Sequence, residues 1–350
     1  MVKRMDWWRV LIVLLSVTII GSCDKLPEGV DISDIPDYYQ PYLDGRAAAI
    51  NEAIANCSGD CETFFWITDI HWEKNKNEHK SPLLIKYLSN KTGIDKILDG
   101  GDNGNSQVIC KNAITQLRNA IGSDKVYSVT GNHEMIDASM YESPFDRVAD
   151  ELRGHNRDIV YGDNDKSYFY LDNNIGKTRY IGLSCMGVYQ NGAHESCYTA
   201  EQLAWFKEKA LNVEAGWNIV IFTHTLYFVG TGDKIGVAGC AGAMDFIHAI
   251  NDYQGNGTIA CVLMGHAHRD RIHIGSSGVP YIISASDRHE AYHGDINVTR
   301  IPGTISEQHF EVVVIDKDKR EIKLFAIGAK ARNGLENEPG EEVDVRIVNY

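Results

Sequence analysis

The sequence predicts an α/β protein built from βαβ units, and three observations predict it. Apolar, β-like runs alternate with helix-like segments along most of the chain, a rhythm that favours strands joined by crossover helices. Five of the runs end directly in a short polar cluster: Asp69-Ile70-His71, Gly101-Asp102, Gly131-Asn132-His133-Glu134, His224 and Gly265-His266-Ala267-His268. The steps from Asp69 to Asp102 and from Asp102 to Asn132 are each close to the roughly 30 residues of one βαβ unit. Successive crossovers therefore return the chain to the same rim of the sheet, where ligands bind in α/β folds.

The N-terminus stands apart from this fold. Lys3, Arg4 and Arg9 precede an apolar stretch from Val10 to Ile20 that ends in small residues, the pattern of a secretory signal over residues 1–22. The stretch is shorter than the roughly 20 apolar residues that a membrane-spanning helix needs. Ile20-Gly21-Ser22-Cys23 resembles the lipobox of bacterial lipoproteins, which implies a lipidated Cys23 and a soluble body held at a membrane outside the cytoplasm, at the periplasmic face or the cell surface. An ordinary signal peptide, an accidental Cys23 and a secreted soluble protein form the alternative. Residues 23–60 read as an anchored segment, with an extended tether from Asp24 to about Tyr42 and an Ala-rich helix from Arg46 to Asn56.

Residues 61–333 read as one catalytic domain. Its first half runs as a strand to Thr68, a helix from Pro82 to Ser89, a strand to Leu98, a helix from Val108 to Ile121 and a strand to Val129. A helical stretch from Phe145 to Leu152, strands from Ser167 to Leu171 and Thr178 to Leu183, and an amphipathic helix from Glu201 to Leu211 follow. Within that helix Leu203 and Trp205 fit core packing. The runs Ile219 to Phe222 and Ala260 to Met264 carry the last two clusters, and strands near Tyr281 to Ser284, Phe310 to Ile315 and Glu321 to Phe325 close the domain. The last two face each other across Asp316-Lys317-Asp318-Lys319, a hairpin-like turn. Residues 334–350 are Glu- and Gly-rich and read as a tail without an assigned role.

Composition narrows the function. The chain is 43% hydrophobic and 23% charged with a net charge of −14, and no Lys/Arg-rich run is interleaved with aromatics. Long nucleic acid is thereby disfavoured as a partner. The eight cysteines lack zinc-finger spacing. Cys57 and Cys61 flank a turn tight enough to pair them, with two unpaired thiols as the equal alternative, whereas Cys110, Cys185, Cys240 and Cys261 sit in apolar contexts typical of small core residues.

Carboxylate, imidazole and amide oxygen together form a mixed O/N donor set that suits Mn, Fe or Zn better than Ca or Mg. Two adjacent cations need a shared ligand, and Asp102 on a Gly-assisted turn is the natural one. Single motifs of this size recur by chance, but five in order, each after an apolar strand, form a specific signal. His224 has only its strand to place it.

The ordered set resembles the calcineurin-like metallophosphoesterase family, whose pattern runs DxH, GDxx(D/N), GNH(D/E), a lone His and then GHxH, and the resemblance covers Phe64 to Phe325. It implies a four-layer αββα sandwich of two mixed β-sheets flanked by helices. It puts Asp69, His71, Asp102 and His268 on one metal and Asp102, Asn132, His224 and His266 on the other. Two divalent or trivalent transition-metal ions, Mn, Fe or Zn, are implied, with a hydroxide between them attacking a phosphoester in line. His133 would act as general acid toward the leaving oxygen or as a donor to a phosphate oxygen. Some members carry a second Asp three residues after the shared one, paired with this histidine; here Asn105 stands there, able to orient the ring but not to stabilise its charge. Glu134 and Asp137 are the alternatives for that pairing. Arg269, Arg271, Arg288, His289 and His293 are candidates for contact with substrate phosphate, or else solvated loop residues. The implied activity is hydrolysis of small phosphomonoesters or phosphodiesters outside the cytoplasm. A binding or scaffold lipoprotein that keeps the fold, and a pyrophosphate-bond hydrolase using the same site, are the competing readings.

Overall fold

Neighbouring residues of the strand Cys61–Ile67 face different cores: Phe64 and Trp66 point into one, Phe65 and Ile67 into another. Side chains on a strand alternate between faces, so a run with both faces apolar belongs to a sheet covered on both sides. The computed structural model describes residues 30–72, 79–135, 159–162, 167–188, 194–230, 234–288 and 300–350. Cys23, the expected leader and the helix expected at 145–152 lie outside them.

Two sheets carry the fold. The six-stranded sheet runs, edge to edge, through Val345–Asn349, Glu321–Gly328, His309–Asp316, Cys61–Ile67, Ile97–Asp99 and Val126–Ser128. Its last three strands are parallel, and His309–Asp316 is antiparallel to Cys61–Ile67. The seven-stranded sheet is also mixed, in the order Arg271–Ile274, Pro280–Ile283, Thr258–Met264, Asn218–Thr223, Thr178–Leu183, Phe169–Asn173 and Ile159–Tyr161. The same alternation recurs in its centre, where Ile219 and Ile221 face outward to helices and Val220 and Phe222 face the other sheet.

Three cores follow, hence four layers. Phe64, Trp66, Val220, Phe222, Val313 and Leu324 meet between the sheets. Gln40–Ala55, Ser81–Thr92 and Gln107–Ile121 cover the outer face of the six-stranded sheet, and Ala200–Trp205 and Ala243–Asn251 that of the seven-stranded one. The αββα sandwich and its mixed sheets are those expected. Local signals set the helix ends: Ser106 accepts from the Ile109 amide at 3.3 Å, Thr199 accepts from the Gln202 amide at 3.2 Å, and Gly93 takes the left-handed turn after Thr92. Trp205 is a buried core residue, and the helix there continues as a π-turn over Phe206–Ala210.

Both ends depart from the sequence expectations. In place of an extended tether as far as Tyr42, Ile35 and Tyr39 are buried, and the Tyr39 hydroxyl donates to the Thr304 carbonyl at 3.1 Å. The helix starts at Gln40 because Pro41 fits a first turn, and Leu43, Ala47 and Ile50 then form its inward stripe. At the other end Val345–Asn349 pairs antiparallel with Glu321–Gly328. Its alternation is inverted: Ile347 is exposed and Arg346 is fully buried. A charged residue facing inward hides a strand from pattern reading. Cys57 and Cys61 are not bonded to each other, and no disulfide occurs among the described residues.

Arg346 is held by a buried network. Its Nη2 lies 2.7 Å from both carboxylate oxygens of Glu311, and its Nη1 donates to the Ile283 carbonyl at 3.0 Å. Removing one partner of such a pair strands the other charge, so Arg346→Met is expected to cost about 3–5 kcal/mol of stability. Urea unfolding measures it, and a midpoint unchanged from the parent would show the pair to be dispensable.

Candidate metal centre

Five parallel strands from the two sheets deliver five loops to one rim. Backbone bonds zip the loops together: the Asp69 amide donates to the Gly101 carbonyl at 2.9 Å, His71 to Asp102 at 3.0 Å and Gly265 to His224 at 2.9 Å. Two glycines permit this approach. A Cβ on Gly101, whose φ is +86°, would come within 2.5 Å of the Gly131 nitrogen, and one on Gly265 within 2.2 Å of Asp69 Oδ2.

Five predicted site residues also hold left-handed backbone, with φ of 53° at Asp69, 45° at His71, 56° at Asp102, 65° at His266 and 54° at His268. Each such residue costs on the order of 1–3 kcal/mol and persists where surrounding structure over-determines it, commonly at functional sites. Strain at these positions turns successive side chains of a loop toward one point.

All seven predicted ligands come together. In the first group His268 Nε2 is 3.0 Å from His71 Nε2 and 3.1 Å from Asp69 Oδ1. In the second, His224 Nε2 lies 3.2 Å from each of Asp102 Oδ2, Asn132 Oδ1 and His266 Nδ1. Asp102 stands between them, buried, with His71 and His133 on its other side.

This donor set fits cations. His224 Nδ1 lies 2.9 Å from the Gly100 carbonyl and so carries a proton there, which leaves Nε2 as the atom that faces the group. Nε2 faces a carboxylate oxygen and an amide oxygen, neither of which has a hydrogen to give, and His266 Nδ1. Acceptor atoms crowded in this way favour a positive charge among them, a proton in the metal-free protein or a cation in its place. The titration behaviour agrees. Burial lowers His224, but Asp102, Asp69 and Glu134 outweigh it and lift the ring to about 10. A proton is drawn to the place where a cation would displace it. Burial pushes His71 and His266 down to about 4, which keeps both rings neutral and able to ligate. Asp69 is opposed by burial yet lowered by His268, His224 and His71, so it is ionised.

His133 lies at the mouth. Its Nδ1 donates to Asn105 Oδ1 at 2.5 Å, and its ring packs edge-on against His71. Its Nε2 is 3.9 Å from Asp102 Oδ2. Asn105 thus orients the ring. Glu134, an alternative for that pairing, is buried away from it, with its carboxylate on the backbone amides of Asp102, Asn103 and Gly131. Asp137, His289 and His293 lie outside the described residues. Of the arginines, Arg288 is buried and donates from Nη1 to the His71 carbonyl at 3.4 Å. Arg269 turns to the Gly230 carbonyl, and Arg271 is fully buried against the Glu338 carbonyl, where it ties down the C-terminal segment.

Sequence reasoning passed over Asp99. It is fully buried, accepts from the Gly101 amide at 3.0 Å and from Asn103 Nδ2 at 2.8 Å, and burial raises it to about 6. A carboxylate ending the apolar run Ile97-Leu98 was the available signal. A third group, Asp270, His309 and Glu311, is also close enough for a cation. The Arg346 guanidinium already bonds Glu311 there and lies 3.7 Å from Asp270, so it is an ion-pair network.

The model of the calcineurin-like phosphoesterase family matches residues 63–270. Among solved structures, a dimetal phosphatase from Danio rerio is similar at 14% identity and a TM-score of 0.50, over 82% of this chain and 98% of that one. A 5'-nucleotidase from Candida albicans is similar at 15% identity and a TM-score of 0.41, over 72% of this chain and 47% of that one. No curated protein matches the chain.

Proposed function

This chain belongs to the calcineurin-like phosphoesterase family, and from that premise we propose that it hydrolyses small phosphomonoesters or phosphodiesters with two cations, outside the cytoplasm. The observation that carries the reading is two adjacent groups of candidate ligand atoms, Asp69, His71 and His268 in one and Asp102, Asn132, His224 and His266 in the other, with ligand atoms of His71 and Asp102 within 4.8 Å of each other. Asp69, His71, Asp102 and His268 would hold one ion, and Asp102, Asn132, His224 and His266 the other, with Mn, Fe or Zn favoured by the donor set. When bound, the pair supplies Lewis-acid charge neutralisation and an activated water nucleophile. His133, fixed through Nδ1 by Asn105 with Nε2 3.9 Å from Asp102 Oδ2, would pass a proton held on Nε2 to the leaving oxygen. Arg288, tethered to the His71 carbonyl, adds positive charge beside the place a phosphate would occupy.

The test is hydrolysis of a chromogenic aryl phosphomonoester and its diester counterpart by protein stripped with chelator and refilled with Mn, Zn or Fe. Metal-dependent turnover supports the reading, and the ratio of the two rates narrows the substrate class. Absence of turnover on both esters with two metals bound would favour the binding or scaffold reading.

The location rests on the leader. Lys3, Arg4, Arg9, the apolar core and Ile20-Gly21-Ser22-Cys23 support export and lipidation. Among the described residues no helix is long and apolar enough to cross a membrane. Mass spectrometry of the mature protein is expected to find an acylated Cys23 at its N-terminus. An unmodified terminus elsewhere would contradict the anchor.

A further inference from the structure

We propose that Glu134 is a positioning residue that locks together the two loops bearing Asp102 and Asn132, and so sets the geometry of the cation pair; the inference rests on the two-cation reading above. The Glu134 side chain is buried and makes no bond to the His133 ring. Its Oε2 accepts from the Asp102 amide at 3.0 Å and the Gly131 amide at 2.7 Å, and its Oε1 accepts from the Asn103 amide at 2.6 Å. One oxygen therefore joins the turn after Ile97–Asp99 to the turn after Val126–Ser128.

The clasp is reciprocal. Asp102 Oδ1 accepts from the His133 amide at 2.8 Å, so each loop's carboxylate grips the other loop's backbone. Asp99 braces the same turn from below through the Gly101 amide and the Asn103 side chain. The left-handed backbone of Asp102 and the close approach at Gly101 both need restraint of this kind. Without it, the shared carboxylate is free to rotate away from one of its two partners. Only an acceptor on both oxygens satisfies three inward-facing N–H groups, and the carboxylate is the side chain that offers it. Glutamine at this position keeps the shape but presents an NH2 group to at least one backbone N–H, leaving a buried donor unsatisfied.

Glu134→Gln tests this. Partners that orient metal ligands from outside typically alter affinity or activity by roughly 10–100-fold when changed, and a loss in that range is expected for Mn(II) affinity in a titration of stripped protein. Turnover should fall by a similar factor through kcat, with KM little changed, because no Glu134 atom lies at the mouth. Electron paramagnetic resonance of the Mn-loaded protein should show weakened or lost coupling between the ions. Glu134→Asp keeps the charge but is too short to span both loops, and should show the same changes in milder form; it carries the test if Glu134→Gln does not fold. Parent-like Mn affinity and coupling in a folded variant would overturn the proposal. So would a kcat loss that only tracks the fraction of folded protein. Metal affinity and coupling are read without any substrate, so a parent that binds two ions but hydrolyses neither ester would fail the proposed activity and leave the clasp tested on its own terms.

Discussion

Replacing Asp102 by Asn is expected to lower turnover by more than the roughly 10–100-fold typical of an outer partner of a metal ligand, and to weaken binding of both cations. Asp102 is 1% exposed, with Oδ2 at 3.2 Å from His224 Nε2 and Oδ1 accepting from the His133 amide. Asparagine removes the negative charge shared by both groups, and its NH2 must take one of two poor places. Facing the His133 amide it sets donor against donor. Facing His224 it donates into the lone pair that a cation would use. The metal-free variant should also lose stability, because Asp102 is the main charge partner of the buried His224 ring, so the folded fraction is measured on the same sample. Metal content by atomic spectroscopy and hydrolysis by the same sample check both parts, and near-parent turnover would remove Asp102 from its shared role.

His133→Ala should separate chemistry from binding. Loss of a general acid typically costs about 100- to 10,000-fold, and a fall in that range is expected while both metals remain. The separation follows from geometry. The ring's Nε2 is 3.9 Å from Asp102, whereas the bond that holds Asp102 comes from the His133 backbone amide, which alanine retains. Loss of both metals from the variant would mean that the imidazole is itself a ligand. Substrates with an activated leaving group, which need little protonation, should suffer least.

The fold was legible where apolar pattern and turn chemistry agreed. The runs at Phe64–Ile67, Ile219–Phe222 and Ala260–Met264 became central strands because both of their faces are buried, and the polar residue following each run marked the rim. The seven candidate ligand positions were visible because each lies in the loop that follows a strand. What stayed hidden depends on tertiary contact. Arg346 reads as a surface residue until Glu311 meets it inside the sandwich, and Tyr39 reads as tether until it packs over Thr304. The work of Glu134 is invisible for a related reason. Its partners are backbone amides, which every sequence has, and only the approach of the two loops places three of them around one carboxylate. His133 was read with its neighbour uncertain, and the contact with Asn105 settles how the ring is oriented.

Diffraction from crystals of the Mn-loaded protein, with data collected for the anomalous signal of manganese, tests the two-cation claim most directly. The account predicts two peaks roughly 3.5–4 Å apart, one among Asp69, His71 and His268, the other among Asn132, His224 and His266, with Asp102 bonded to both. A single peak, or two peaks with Asp102 bonded to neither or to only one, would contradict it.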